Sequence, residues 1–157
     1  MIPLQRYGLA AAAGSAALLA GAFAFQHIGG LAPCPMCVWQ RWPHALAILL
    51  GAALLALPRR PIALAGALAM LVGAGIGFYH AGVELHLWTG PTTCVAPDVA
   101  GISPEDLLAS ILDAPVVRCD EVSWSLFGIS MAGWNALLSL ALSGVWLKAY
   151  ASSSASQ

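Results

Sequence analysis

Four stretches of the chain contain no charged residue and are dominated by apolar side chains. They cover residues 7–28, 42–58, 62–83 and 122–147. A helix of about 20 apolar residues crosses the hydrocarbon core of a bilayer, and about 17 is the lower limit. The pattern therefore predicts an all-α membrane protein, with four transmembrane helices bundled into a single domain over residues 1–150.

The first two stretches each leave a choice open. Arg6 precedes the first stretch and Ala22-Phe23-Ala24 is similar to a signal-peptide cleavage site, but the apolar part exceeds the roughly 7–15 residues usual for such peptides. This favours a retained helix. Pro43 lies near the start of the second stretch, where it either opens the regular part of the helix or kinks it.

The polar segments predict one short turn, one long loop and a tail. Pro58-Arg-Arg-Pro61 is a tight charged turn, and residues 84–121 form the long loop. Within the loop, Ser103 is typical of a helix N-cap. The following apolar residues predict a short amphipathic helix lying in the membrane interface, with this face: Leu107, Leu108, Ile111 and Leu112. The Ser-rich residues 151–157 predict a disordered tail.

Composition supports a membrane location. The chain is 60% hydrophobic and 8% charged, whereas an ordinary soluble domain has about 25% charged residues. So few charges cannot cover a water-facing surface, so the bilayer is expected to be the solvent. The net charge of −1 without a basic cluster argues against a nucleic-acid partner.

Lysine and arginine predict the orientation, because they are enriched on the cytoplasmic side of membrane proteins. One face of the predicted bundle carries four of them: Arg6, Arg59, Arg60 and Lys148. The other face carries Arg41 and Arg118. Both termini are therefore expected in the cytoplasm. The four cysteines are expected on the opposite, oxidising side, where disulfides persist.

Small or weakly polar residues recur every four positions in the third and fourth stretches. They are Ala65, Ala69, Gly73 and Gly77, followed by Asn135, Ser139 and Ser143. Such stripes let helices approach closely in lipid, so we interpret both as packing contacts within the bundle.

Polar side chains that are distant in sequence converge at the outer face of the predicted bundle. They are Gln26, His27, Cys34, Cys37, Gln40, Arg41, His44, His80 and Glu84. Polar groups are costly at membrane depth and usually serve a site. His27, His44 and Glu84 receive no defined role from the sequence.

The Cys34-x-x-Cys37 pair and Arg41 carry the strongest chemical signal. If the segment after Cys34 is helical, Cys37 and Arg41 are one turn apart on one face. A thiolate at a helix N-terminus and beside a guanidinium is stabilised and reactive. The alternatives are a structural disulfide or half of a metal site for the cysteines, and a snorkelling interface residue for Arg41.

Four cysteines allow three pairings. Cys34 with Cys37, and Cys94 with Cys119, is the favoured resting set, because the second pair lies near the two ends of the long loop. A purely structural bridge between Cys94 and Cys119 is the alternative. Two disulfides on one side of so small a membrane protein favour thiol–disulfide exchange.

Oxidation of a dithiol releases two electrons and two protons, and the sequence has no flavin, haem or dinucleotide motif to accept them. A lipid-soluble quinone accepts both and can enter the edge of a bundle from the membrane. An arginine and a histidine, here Arg41 and His80, would polarise its carbonyl oxygens. The residues therefore predict quinone reduction by thiols, with no resident metal.

These residues resemble the DsbB family of disulfide bond formation proteins. The matching segments are Phe25-Gln-His27, Pro33-Cys-x-x-Cys37, Gln40-Arg41, Tyr79-His80, Gly90-Pro-x-x-Cys94, Cys119 with Trp124, Gly128-Ile-Ser-Met131 and Trp134-Asn135. They occur in order over nearly the whole chain.

The resemblance implies a bacterial inner-membrane enzyme that reoxidises a periplasmic thioredoxin-fold thiol oxidase of the DsbA type. Cys94 would form the mixed disulfide with that donor, and Cys119 would be its partner. Electrons would pass to Cys34, which exchanges, and Cys37, which forms an adduct or charge-transfer pair with ubiquinone or menaquinone. Arg41 would bind the quinone and His80 would be its second polar contact.

Three other functions are compatible with parts of the sequence. A thiol oxidase of the vitamin K epoxide reductase type is disfavoured by the order of the cysteines, with the CxxC at the start of the second span. A membrane metal or haem carrier could use Cys34, Cys37, His27 and His80. A structural subunit would hold inert bridges.

Overall fold

The computed structural model describes residues 1–91, 103, 108 and 117–152 of the chain. In these residues it has four long helices: α1 (Pro3–His27), α2 (Pro35–Ala56), α3 (Arg60–Glu84) and α4 (Met131–Ser152). The fold is all-helical apart from one short hairpin, β1 (Ser125–Leu126) and β2 (Ile129–Ser130). Apart from Ser103 and Leu108, the predicted amphipathic helix lies outside the described residues, as do Cys94 and residues 153–157.

A proline in the first turn opens each of the first three helices: Pro3, Pro35 and Pro61. Proline suits this position because its missing N–H would have no partner there and its fixed φ is already helical. Pro43 is different, because α2 runs through it. The second helix thus begins seven residues before the predicted span, and its first turns carry Cys37 and Arg41.

The fourth helix begins later than the apolar pattern suggests. Residues 125–130 form the antiparallel hairpin, in which Leu126 pairs with Ile129, and α4 starts only at Met131. The turn places Phe127 and Gly128 at φ of 53° and 76°, a conformation that ends a regular helix or strand. The helix then continues to Ser152, so the first two residues of the predicted tail are helical.

The helices pack in a bundle in which α3 and α4 make the closest contact. Gly77 touches the backbone of α4, and the Trp146 ring fills the space over Gly66. Ser143 Oγ donates to the carbonyl of Ala67 at 3.1 Å. Gly77 and Ser143, one member of each predicted packing stripe, therefore lie at the α3–α4 interface.

Large apolar side chains cover the outside of the bundle. Leu49, Val72 and Phe78 are each well exposed, at 68%, 58% and 68%. A soluble monomer rarely exposes apolar patches on this scale, whereas a lipid-facing surface does. Within the described residues, α1 and α3 are long and apolar enough to cross a membrane.

Gly77→Ala tests the closeness of the α3–α4 contact. A Cβ at Gly77 would lie 2.9 Å from Ala136 N and 3.1 Å from Ala132 O, both of them backbone atoms. We expect the free energy of unfolding to fall by about 1–3 kcal/mol, measured by thermal or denaturant unfolding in detergent micelles.

Gly75→Ala on the same helix is the control, since a Cβ there meets nothing within 4 Å. It should be neutral or stabilising by up to about 1 kcal/mol, because alanine favours helix more than glycine does. Equal stability of the two variants would contradict the close approach.

Candidate functional site

The site begins at the first turn of α2, where Cys34 is the N-cap residue. Its backbone is extended, with φ −72° and ψ 165°, and its sulfur accepts a hydrogen bond from the backbone N–H of Cys37 at 3.1 Å. The two sulfurs are 2.6 Å apart. The segment after Cys34 is therefore helical, as the CxxC interpretation required, and Arg41 follows Cys37 by one turn.

The two thiols of the pair differ in acidity. The pKa of Cys34, the N-cap residue before α2, is raised because its sulfur hydrogen-bonds Cys37 and is buried. Cys37 lies in the first turn of α2, at the positive end of the helix dipole and one turn from the Arg41 guanidinium. These surroundings favour negative charge on Cys37 over Cys34.

His80 on α3 lies between the CxxC pair and the second cysteine region. Its Nε2 is 3.5 Å from Cys34 Sγ, and the ring also interacts with the backbone of Cys119. Its Nδ1 is 2.8 Å from Gln40 Nε2. With only 2% of its surface exposed, His80 is held on both ring nitrogens.

Cys119 packs against Cys34. Both are buried, and they share one apolar cluster with Met36 and Val83. Cys119 is disulfide-bonded, and its partner lies outside the described residues. The two cysteine regions are thus in contact, although Cys34 and Cys119 lie 85 positions apart in the sequence.

Arg41 is held between α1 and α2. Its Nη1 donates to Gln26 Oε1 at 2.7 Å, and the guanidinium carbon lies 4.7 Å from the centroid of the Phe23 ring. Cation–π contact and a hydrogen bond together fix the side chain. Its Nε is buried and has no hydrogen-bond partner among the described residues.

A cavity of about 100 Å³ joins these groups. Its polar lining includes Cys37, Arg41, His44, Glu84 and Asn135. Its apolar lining comes mainly from α1 and the segment before α4: Leu18, Leu19, Ala22, Phe25 and Trp124. A small planar group with polar edges would match this distribution of side chains.

Glu84 closes the cavity at the C-terminal end of α3. Its Oε1 is 4.0 Å from His80 Nε2, and only 6% of its side chain is exposed. It hydrogen-bonds Ser130 of β2. The other oxygen, Oε2, is buried without a partner in the part of the chain that the structure describes.

The mouth of the cavity carries an ion pair on the segment before the hairpin. Arg118 contacts Asp120 at 2.6 Å, and this contact lowers the pKa of Asp120 to about 2. Both groups face water, so the pair adds little stability. Arg118 and Glu121 nevertheless line the cavity together with Trp124, whose ring packs 5.0 Å from that of Phe25.

Two of the predicted convergent residues, Gln26 and His27, do not line the cavity. Gln26 accepts a hydrogen bond from Arg41, and His27 stacks on Phe23 at 6.2 Å at the exposed end of α1. Asn135 was predicted to be a packing residue, but it contacts both Gln40 and His44. The signal that could have distinguished it is that it is the only amide side chain in residues 122–147.

The ligand atoms of Cys34, Cys37 and His80 lie within 4.8 Å of one another, which is the grouping a metal carrier would need. Two thiolates on a tetrahedral zinc ion are about 3.8 Å apart, whereas these sulfurs are 2.6 Å apart. The pair would have to open to hold a metal, and His27 is not part of the group. The geometry favours a redox pair.

Known proteins with similar sequences carry a consistent description. The family model "Disulfide bond formation protein DsbB" matches residues 5–149. A protein of Methylococcus capsulatus named "Disulfide bond formation protein B" is 35% identical over 135 residues, which is 81% of this chain and 82% of that protein.

A protein of the same name from Albidiferax ferrireducens is 32% identical over 139 residues, 77% of this chain and 75% of that protein. One from Marinobacter nauticus is 34% identical over 133 residues, 78% and 77% of the two chains. No solved structure matches this chain. With the family model covering nearly the whole chain and the cysteine pair at the start of α2, the chain belongs to the DsbB family of disulfide bond formation proteins and is a transmembrane disulfide oxidoreductase.

Proposed function

We propose that this protein is an inner-membrane thiol:quinone oxidoreductase that reoxidises a periplasmic DsbA-like thiol oxidase and passes the electrons to ubiquinone or menaquinone. One observation carries the proposal. The CxxC pair touches the disulfide-bonded Cys119 on one side and a cavity containing Arg41 on the other. Thiols and an electron acceptor thus have separate access to the same two sulfurs.

The first half of the reaction is thiol–disulfide exchange. A thiolate of the donor attacks the disulfide that we assign to Cys94 and Cys119, and the donor leaves as a disulfide. The reduced loop cysteines then attack Cys34, and Cys37 departs as the leaving sulfur. The contact between Cys119 and Cys34 supports this order, since exchange requires the sulfurs to meet.

The second half depends on Cys37, which lines the cavity. Its position in the first turn of α2, one turn from Arg41, favours the thiolate, which suits both leaving in the exchange and giving an electron pair to an acceptor. Cys34 then closes the disulfide again. The balance is one donor dithiol and one quinone in, one donor disulfide and one hydroquinone out, with both thiol protons ending on the hydroquinone oxygens.

The cavity residues fit a quinone. Three of the buried polar atoms without partners in the described residues belong to the lining: Arg41 Nε, His44 Nδ1 and Glu84 Oε2. Arg41 offers a donor, which suits a carbonyl oxygen of the quinone. The other two atoms are acceptors, which suits the hydroxyl groups of the product. A quinone bound there supplies an acceptor for two electrons and two protons.

We assign His80 as the second polar contact of the quinone. It lines the same cavity as Arg41. Its Nε2 already faces Cys34 and its ring interacts with the Cys119 backbone, so contact with a quinone would compete with these partners.

We further propose that all four helices span the membrane, with the termini in the cytoplasm, the cysteines in the periplasm and the amphipathic loop helix at the interface. Each helix has 22 or 25 residues, or about 33–38 Å at 1.5 Å per residue, against a hydrocarbon core of about 30 Å. Four of the six lysine and arginine residues lie at one end of the bundle.

The other functions fit less well. The CxxC lies at the start of the second helix, an order that disfavours the vitamin K epoxide reductase type. The sulfur separation disfavours a metal or haem carrier. An inert structural subunit has no use for a cavity beside the cysteine pair.

Cys37→Ala tests the central assignment. We expect reduction of ubiquinone or menaquinone by a reduced thioredoxin-fold donor to fall to background, because the sulfur that faces the cavity is lost. Quinone-dependent turnover of the purified protein in detergent is the measurement. Val38→Ala, on the exposed side of the same turn, is the control. Wild-type rates in Cys37→Ala would refute the function.

Arg41→Gln tests the quinone site. A hydrogen bond to a charged group contributes about 1.5–3 kcal/mol, so the apparent KM for quinone should rise roughly 10- to 100-fold, while the KM for the thiol donor changes little. Arg59→Gln, at the other end of the bundle, should leave both constants unchanged. An equal loss in the two variants would remove Arg41 from the quinone site.

The orientation can be tested by thiol labelling of single cysteines in a protein whose own cysteines are replaced. Phe127→Cys lies in the exposed hairpin turn and Arg59→Cys in the turn between α2 and α3. A membrane-impermeant maleimide should label Phe127→Cys in spheroplasts and reach Arg59→Cys only after the membrane is opened. The reverse pattern would invert the topology.

A further inference from the structure

A line of hydrogen-bonded side chains crosses the bundle beneath the cysteine pair, joining α4, α2 and α3. His44 Nε2 is 2.9 Å from Asn135 Oδ1, and Asn135 Nδ2 donates to Gln40 Oε1 at 2.7 Å. Gln40 Nε2 is 2.8 Å from His80 Nδ1. Gln40, His44 and His80 are buried, so the hydrogen bonds that they make here are to one another and to Asn135.

The chemistry of the amide groups determines which atom donates and which accepts at each hydrogen bond along this line. An amide NH₂ group only donates and an amide oxygen only accepts. Gln40 can therefore hydrogen-bond His80 only if Nδ1 accepts, which requires a neutral imidazole with its proton on Nε2. Two contacts fix the orientation of the Gln40 amide. Its oxygen accepts from Asn135, and its NH₂ group also donates to the backbone carbonyl of Met36 at 3.4 Å, which can only accept.

The other side of the His80 ring faces the cysteines. Its Nε2 is 3.5 Å from Cys34 Sγ, and the ring also interacts with the backbone of Cys119. A proton on Nε2 therefore points to the place where the two cysteine regions meet.

We propose that Asn135 and Gln40 are positioning residues that hold His80 as a neutral Nε2–H donor facing the sulfur of Cys34. With no lone pair on that side, His80 cannot act as a base toward Cys34. It acts as a hydrogen-bond donor instead. The His80 tautomer is inferred from the contacts described above, and only its role in catalysis rests on the proposed function.

The catalytic meaning concerns the step that resolves the mixed disulfide between Cys34 and a loop cysteine. The second loop thiolate attacks the first loop sulfur, the bond to Cys34 breaks, and its electron pair stays on Cys34. A preorganised N–H stabilises that developing thiolate. His80 keeps its proton throughout, so Cys34 remains a nucleophile for closing the disulfide with Cys37.

Other titratable groups surround His80 and could change its charge. Those lining the cavity beside it come from α2, α3 and the segment before the hairpin: Cys34, Cys37, Arg41, His44, Glu84, Arg118 and Glu121. Glu84 is the nearest carboxylate, at 4.0 Å from Nε2. A test must therefore read the protonation of each ring nitrogen directly.

Two substitutions should change His80 Nδ1 from a hydrogen-bond acceptor into a donor. In Gln40→Glu, the carboxylate can only accept from Nδ1. In Asn135→Asp, the carboxylate repels the Gln40 oxygen, so the Gln40 amide turns over and presents that oxygen to Nδ1. Either change should place a proton on Nδ1. Asn135→Asp does so from α4, through Gln40.

The measurement is ¹⁵N NMR of histidine-labelled full-length protein in detergent micelles at pH 7.5, with the His80 signals identified by their loss in His80→Phe. We expect a neutral Nε2–H ring in the wild type and a protonated Nδ1 in both variants. Ser143→Ala is the control, because it removes a buried hydrogen bond outside the line and should leave His80 unchanged.

A second readout is the equilibrium of the Cys34–Cys37 disulfide with glutathione. In Gln40→Glu the carboxylate favours a doubly protonated His80, which stabilises the reduced, thiolate form, so this variant should be several-fold more oxidising than wild type. In Asn135→Asp a neutral oxygen faces Nδ1, so the proton moves there from Nε2, Cys34 loses its donor, and the variant should be several-fold less oxidising. A wild-type His80 that carries its proton on Nδ1, or a His80 unaffected by Asn135→Asp, would overturn the proposal. Neither experiment needs a quinone, so failure of the proposed function would show separately, in the turnover of the wild type.

Discussion

The site depends first on the hydrogen bond from the backbone N–H of Cys37 to the sulfur of Cys34. N-caps are usually hydroxyl, carboxylate or amide side chains. Here a thiol takes that place, and Pro35 occupies the next position without losing a hydrogen bond. One consequence is that both sulfurs lie at the positive end of α2. Another is that the next turn of the helix places Arg41 beside the same cavity.

The second requirement is that polar groups inside a membrane protein find partners within the protein. Gln40 and His44 lie on the buried side of α2, where the bilayer offers them nothing. The short side chain of Asn135 reaches both because Gly77 lets α4 approach α3 closely, with backbone atoms in near contact. Small residues in α3 thus determine which polar groups of α4 can reach the site.

The presence and order of the helices could be predicted from the sequence, because uncharged runs of this length have few alternatives. The start of α4 could not. The hairpin before it is as apolar as a helix, and its turn depends on positive φ at Phe127, a residue that gives no sign of a turn. Gly128 was the one local signal. The family resemblance named these residues without indicating their conformation.

Some features of the candidate site could likewise be predicted from the sequence, and others could not. The CxxC pair, Arg41 and the contact of His80 with them follow from spacing and orientation. The role of Asn135 does not, because a four-residue stripe indicates a helix face without indicating which neighbour it meets. The rotation of α4 against α2 depends on the packing of side chains from several helices, so it cannot be predicted from the sequence of any one segment.

The position of Arg41 explains why a charge is tolerated in this bundle. An arginine at the centre of a bilayer costs about 2.5–3.5 kcal/mol, and less near the surface. Arg41 lies two turns into α2, close to the outer end, where Phe23 covers one side of the guanidinium and Gln26 satisfies one nitrogen. These contacts come from α1 and leave Nε directed away from them and without a partner among the described residues. The first helix therefore anchors the charge without using all of its hydrogen-bonding capacity, and that remaining capacity is what a ligand entering from the membrane would need.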